Sequence, residues 1–148
     1  RISDGMMRDA AQVAQAEEFI TAKTEGYDSP VAQGGTNVSG GQKQRLAIAR
    51  AIAKDPRIYL FDDSFSALDY KTDAQLRRAL NRKAASATVL IVAQRISTIL
   101  HADQILVLDE GKIVGKGTHA QLLESCPQYQ EIARSQLSES ELKGGIAG

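Results

Sequence analysis

Two consecutive aspartates at the end of an apolar run are the first residues in this chain whose type and placement could do chemistry. Leu60-Phe61-Asp62-Asp63 puts both carboxylates where a buried strand would end. Ligand sites of open α/β sheets gather at such ends, and carboxylates there could hold a hard cation or orient a water molecule. An ordinary polar strand end would look the same. A second signal lies upstream, in Val38-Ser39-Gly40-Gly41-Gln42. Ser39 followed three residues later by Gln42 is the pattern of a capping box opening a helix. A cap alone does not call for two glycines in the first turn, where each costs about 1 kcal/mol against alanine. Glycines there expose backbone N–H groups. Those groups and the positive end of the helix dipole favour an anion, phosphate above all, and the Ser39 hydroxyl adds a donor. Gln94 ends the next apolar run, Val89-Leu90-Ile91-Val92-Ala93, and can donate a hydrogen bond while staying neutral. Ser66-Ala67-Leu68-Asp69 follows the acid pair, and Asp69 suits the N-cap of the next helix. His101 and His119 have no cysteine or carboxylate cluster at metal-ligand spacing and make no zinc site.

Positioning these groups takes an alternation of helices and strands. Val13, Ala16, Phe19 and Ile20 recur at helical spacing and predict one helix over 9–23. Residues 26–37 contain Pro30, Gly34 and Gly35 and read as a loop. A helix is expected over 39–54, with Leu46, Ala49, Ile52 and Ala53 as its apolar stripe, stopped by Asp55 and Pro56. Residues 57–62 carry Ile58, Tyr59, Leu60 and Phe61 without alternation, the pattern of a parallel strand buried on both faces. A helix over 70–84 should turn Leu76, Ala79 and Leu80 inward, and 88–93 reads as another continuous apolar strand. A short helix over 97–101 follows. Residues 104–108 and 112–114 flank Asp109-Glu110-Gly111 as a hairpin. Thr118 and Gln121 form a capping box for a helix over 118–124, and a last helix runs over 128–137. Residues 138–148 are poor in large apolar side chains and are expected to form a flexible tail. Strands alternating with helices argue for an α/β layered fold.

The run Ser39-Gly40-Gly41-Gln42-Lys43-Gln44-Arg45-Leu46-Ala47-Ile48-Ala49-Arg50-Ala51 closely resembles the signature motif and following helix of ATP-binding cassette (ABC) ATPases. Val38 stands where that family usually has leucine. Leu60-Phe61-Asp62-Asp63 resembles the family's Walker B motif, Ser66-Ala67-Leu68-Asp69 its D-loop, and Val89 to Thr98 the switch region of ABC exporters. The resemblance covers nearly the whole chain but only the later part of the domain. It implies a partial P-loop NTPase fold, a mostly parallel sheet flanked by helices. Residues 1–54 would be part of the helical subdomain with the signature helix, and 55–137 the stretch from Walker B to the C-terminal helices. ATP and Mg²⁺ are the implied cofactors, with Asp62 helping to hold the ion, commonly through water. Ser39, Gly40, Gly41 and Gln42 would close over the γ-phosphate held by a partner subunit. Ser66, Ala67, Leu68 and Asp69 would cross the dimer interface.

Two catalytic positions depart from the family pattern. Asp63 stands at the place of a catalytic glutamate and is one methylene shorter. Its carboxylate would stand back by roughly 1 Å, and such a misplacement can cost about 100-fold in rate. Gln94 stands at the place of a switch histidine, which can carry a proton where glutamine cannot. These changes beside an intact signature motif resemble the degenerate-site subunit of a heterodimeric bacterial ABC exporter of the multidrug type. The implied partners are a second ABC nucleotide-binding domain and the transmembrane domains, at the cytoplasmic face of the cell membrane. Two other readings stand beside this one: a regulatory, nucleotide-holding half without turnover, and a soluble ABC ATPase with no transport role.

Composition narrows these classes. The chain has 148 residues, 43% of them hydrophobic, enough for a core in one domain or a large piece of one. Its 18 basic and 18 acidic residues cancel, so a nucleic-acid partner is not expected. Cys126 is the only cysteine, which excludes an intrachain disulfide and fits a reducing compartment. The longest apolar run, Ala87 to Ala93, is far short of the roughly 20 residues that span a bilayer. The start resembles no signal peptide, and the chain opens on Arg1, as expected of a fragment of a longer polypeptide. No glycine-rich phosphate loop ending in Gly-Lys-Ser or Gly-Lys-Thr occurs. These residues alone are therefore expected to bind ATP weakly or not at all, and to be inactive in isolation.

Overall fold

The computed structural model of the chain describes residues 2–139 and Leu142. They fall into two compact units that divide between Val92 and Ala93. The first holds α1 (Asp4–Val13), α2 (Glu17–Thr21), α3 (Gly40–Ile52), β1 (Ile58–Asp62), α4 (Tyr70–Lys83) and β2 (Thr88–Val92). The second holds α5 (Ile96–Ile99), β3 (Ile105–Asp109), β4 (Lys112–Gly117), α6 (His119–Ser125) and α7 (Pro127–Gln136). The loop expected over 26–37 contains two short 3₁₀ turns, Gly26–Asp28 and Gln33–Gly35.

The single helix expected over 9–23 is in fact two. α1 starts earlier, where Ser3 Oγ accepts from the Met6 N–H. It stops at Val13, and Gln15 takes a positive φ of 56°. Arg45 of α3 bridges the break. Its guanidinium donates to the Gln15 carbonyl at 2.6 Å and lies over the Phe19 ring at 4.7 Å. Ala10, Ala11, Ala14 and Ala16 are buried, and such small side chains let α1 lie close on α3, where Ile48 and Ile52 fill the contact. The stripe of α3 is accordingly rotated: Ile48 is buried, while Leu46 and Ala49 are only half-covered.

β1 and β2 pair in parallel, from Ile58 opposite Thr88 to Asp62 opposite Val92. α4 supplies the crossover that a parallel pair requires. Both strands were expected to be covered on both faces, and the structure corrects this. Tyr59 and Phe61 face the core, whereas Ile58 and Leu60 are 69% and 66% exposed, and Leu90 and Val92 also lie open. Among the described residues only one face of the pair is covered, so burial alternates along β1 as the pleat dictates. Leu76 and Leu80 of α4 turn inward as expected. Asp73 is buried beside them, with Oδ1 accepting from Arg77 Nε at 3.1 Å.

In the second unit β3 and β4 form the expected hairpin. Glu110 and Gly111 join them with φ of 45° and 76°, the backbone of a type I′ turn. α6 opens on the Thr118–Gln121 capping box. Cys126 is 2% exposed and fills the space beside Gly115, where a side chain would meet its Sγ at 2.7 Å. Tyr129 is buried, with its hydroxyl 2.7 Å from His119 Nδ1. Burial pushes the Tyr129 phenol up to about 12. Burial, and then the charge of His101, hold His119 below the usual histidine value. The expected tail over 138–148 lies mostly outside the described residues. Within it, the Leu142 N–H donates to the Ser138 carbonyl, and Leu142 packs on the second core.

Candidate functional site

Phe61 and Phe65, each 3% exposed, anchor the chain on either side of Asp62-Asp63-Ser64. Phe61 stacks on Tyr59 at a centroid distance of 5.8 Å and meets the edge of Phe65 at 5.5 Å. With the chain pinned on both sides, Asp62 and Asp63 stay at the surface. The Asp63 N–H donates to the Val92 carbonyl at 3.0 Å, prolonging the ladder by one residue. Asp63 then enters the left-handed region at φ 47°, which aspartate tolerates better than most residues. Its Oδ2 lies 3.2 Å from the Ser66 hydroxyl. The exposed Asp62 carboxylate has no hydrogen-bond or ionic partner among the described residues. An open carboxylate at a strand end suits Mg²⁺, which takes one or two carboxylates and keeps several waters. No group of three or more acidic, histidine or cysteine ligands occurs among the described residues.

α3 begins as the sequence implies. Ser39 Oγ accepts from the Gln42 N–H at 3.2 Å, and Gln42 Oε1 accepts from the Ser39 N–H at 3.0 Å. The N–H groups of Gly40 and Gly41 lie in the first turn, where helices offer no internal acceptor. Gly41 has a further reason to be glycine. A Cβ there would stand 3.0 Å from the Ala67 carbonyl oxygen, and one at Gly40 would stand 3.7 Å from Ala67 Cβ. The helix start and the Ser66-Ala67-Leu68-Asp69 segment thus touch. Leu68 is buried, and Asp69 caps α4, accepting from the Thr72 N–H at 2.9 Å and the Thr72 hydroxyl at 2.7 Å. Those bonds, the backbone one foremost, hold the Asp69 carboxyl below the usual carboxylate range.

Two residues that sequence reasoning passed over organise these segments. Gln44 bonds three groups after β1: the Asp63 carbonyl at 3.1 Å, Ser66 Oγ at 3.0 Å and the Ala67 N–H at 2.9 Å. Its spacing from Gly40 and Gly41, four and three residues, puts it on their face of the helix, a signal that was there to be used. In the second unit Gln136 of α7 donates to the Gln94 carbonyl at 2.8 Å and accepts from the Ile96 N–H at 2.8 Å. Nothing in the sequence flagged Gln136. The Gln94 side chain itself is exposed. The first unit thus joins Ser39, Gly40, Gly41, Gln42, Asp63, Ser66, Ala67, Leu68 and Asp69 in one connected region adjoining Asp62. Gln94 belongs to the second unit.

The region has known counterparts. Residues 3–66 match the family model described as ABC transporter. An uncharacterized ABC transporter ATP-binding protein of Mycobacterium tuberculosis is 51% identical over 145 residues, 98% of this chain and 24% of the relative. The ATP-dependent lipid A-core flippase of Albidiferax ferrireducens is 47% identical over 127 residues, 86% of this chain and 22% of the flippase. Among solved structures, a bacterial Atm1-family ABC exporter with ATP bound superposes with a TM-score of 0.89 at 39% identity, covering 93% of this chain and 24% of that one. The chain thus spans about a quarter of the length of these proteins. With its capped Ser39-Gly40-Gly41 helix start, its acid pair at the end of a parallel strand and these relatives, the chain belongs to the ABC transporter ATP-binding domain family and has a partial P-loop NTPase fold.

Proposed function

We propose that this chain serves in the ATP-binding and ATP-hydrolysing domain of an ABC exporter, where ATP-driven dimerisation is coupled to transport across a membrane. It works at the cytoplasmic face, with the transporter's transmembrane domains and a second ABC nucleotide-binding domain as partners. Residues 1–54 act as part of the helical subdomain and 55–137 as the Walker B to C-terminal stretch. The exporter reading is supported by the likeness to the flippase and to the Atm1-family exporter. Among the described residues no helix is long and apolar enough to cross a membrane.

The observation that carries the reading is the α3 start. Ser39, Gly40 and Gly41 offer a capped, glycine-lined helix N-terminus held against Ala67, on the same unit as Asp62 and Asp63. A phosphate docked there would receive backbone N–H donors and the dipole's positive end. These residues complete the ATP site of the partner. Asp62, Asp63 and Gln94 act on ATP held by this subunit. Asp62 would help to hold Mg²⁺, which would supply positive charge to offset that of the phosphates. Asp63 orients the attacking water from too far back, and Gln94 donates a hydrogen bond without carrying a proton. This subunit's own site is therefore degenerate, and the assembly is a heterodimer whose partner site does the turnover.

Steady-state ATPase measurements on the complete transporter test this reading. Ser39→Arg fills the space meant for the partner's γ-phosphate and should nearly abolish turnover. Asp63→Ala should cost much less, because that site contributes little to begin with. Equal, severe losses would overturn the heterodimer and leave the ABC assignment standing.

A further inference from the structure

Gln44 joins the two halves of the candidate site through one side-chain amide. Its Nε2 donates to the Asp63 carbonyl at 3.1 Å and to Ser66 Oγ at 3.0 Å, and its Oε1 accepts from the Ala67 N–H at 2.9 Å. Each partner belongs to the candidate site. The Asp63 peptide sits at φ 47°, a conformation that surrounding bonds must hold in place. The Ser66 hydroxyl lies 3.2 Å from both the Asp63 carbonyl and Oδ2, so the group that receives Gln44 also orients the carboxylate. The Ala67 peptide whose N–H is taken by Gln44 has its carbonyl 3.0 Å from the Cβ position of Gly41, in the first turn of α3.

We propose that Gln44 is a positioning residue that couples the two nucleotide-facing ends of this subunit, the Asp63 carboxylate and the Ser39-Gly40-Gly41 helix start. The proposal rests on the phosphate-capping role of that helix start. Gln44 sets where Asp63, Ser66 and Ala67 stand relative to α3, so a shift at one end is carried to the other through a single planar amide. Only a side chain with donor and acceptor at the same reach makes all three bonds. Glutamate keeps the acceptor for Ala67 and loses both N–H donors. Alanine loses everything.

The test is steady-state ATP hydrolysis by the complete transporter with Gln44→Ala, Gln44→Glu and Ser39→Arg, each with its thermal midpoint. Turnover falls mainly to the partner's site, which the Ser39-Gly40-Gly41 helix start completes, and displacement by about 1 Å near reacting groups can cost about 100-fold. Gln44→Ala should therefore lower kcat by about tenfold or more, with the KM for ATP within about twofold and the midpoint nearly unchanged. Gln44→Glu should fall between Ala and the parent, about threefold to tenfold down in kcat, since one of three bonds survives. It also carries the test if the alanine variant does not fold. A merely structural glutamine would lose activity only in step with the folded fraction, and that outcome overturns the proposal. So does a kcat within twofold of the parent in both Gln44 variants while Ser39→Arg abolishes turnover. If Ser39→Arg also leaves turnover intact, the phosphate-capping role itself fails, and the proposal with it.

Discussion

Ser39→Asp separates the two jobs that the start of α3 can do. Ser39 is extended at φ −69°, ψ 164°, and accepts one bond from the Gln42 N–H at 3.2 Å. Aspartate caps helices as well as serine does and is favoured by the dipole. The helix should therefore hold its stability to within about 0.5 kcal/mol. Its charge would nevertheless stand about 4 Å from a phosphate docked on the Gly40 and Gly41 N–H groups. At that separation two like charges repel by about 1 kcal/mol in bulk water and about 4 kcal/mol at an effective dielectric constant near 20. As a rate, that range is about 5-fold to 1000-fold. The expected result is at least about a fivefold loss of ATPase activity in the complete transporter, with a thermal midpoint close to the parent's. Added salt should recover part of the rate by screening. Ser39→Ala should show the opposite profile, losing about 1 kcal/mol of cap stability and far less turnover. A folded Ser39→Asp transporter that keeps its turnover within twofold would refute the idea that an anion visits this helix start.

Replacing Asp63 with Glu and Gln94 with His together should raise single-turnover hydrolysis at this subunit's site, measured with the partner's catalytic carboxylate removed. Each change alone should do less, and no gain from the pair would overturn the proposal that these two residues make this subunit's site degenerate. Tyr129, whose folded value of about 12 lies above its ordinary 10.0, should contribute stability that is fully present below pH 10 and lost as pH rises toward 12. Denaturant unfolding of Tyr129→Phe should lack that alkaline slope. His119 has the opposite sign: its folded value lies below 6.5, so its contribution is present above that pH and falls as pH drops below it. His119→Gln should flatten the acid limb. Arg45→Ala leaves the Gln15 carbonyl without its 2.6 Å donor and should cost about 1–3 kcal/mol. Unchanged hydrogen-exchange protection at the α1–α2 junction would contradict that role.

What could be read from the letters was local. Ser39–Gln42 and Thr118–Gln121 each close a capping box within one turn, so four residues suffice to recognise it. The hairpin is as plain, because Glu110-Gly111 supplies the positive φ values its turn demands. The break between α1 and α2 was not legible. Helical periodicity continues through it, and Arg45, which bonds Gln15, lies 30 residues away. Gln44 looked like one polar residue among many on a surface helix. Its partners come 19 to 23 residues later, and only the fold brings them together. The continuous apolar runs of β1 and β2 report an apolar setting without saying which residues provide it. Here the described residues provide it on one face. The candidate site was legible as residue types at known spacings. The Gln44 bridge that ties them together was not.

Cys126 offers a way to time the breathing of the second unit. It is the only thiol in these 148 residues, and it sits in the space that Gly115 leaves vacant, beside Leu122. A thiol 2% exposed reacts with a bulky labelling reagent only when the packing around it, which includes β4, α6 and Tyr129 of α7, opens. The labelling rate of Cys126 is thus a stopwatch for the opening of this core. Slow labelling limited by opening would report how often that packing lets go. Adding ATP in the assembled transporter would then show whether closure at the nucleotide quiets a region in which Gln94 is held from α7 by Gln136.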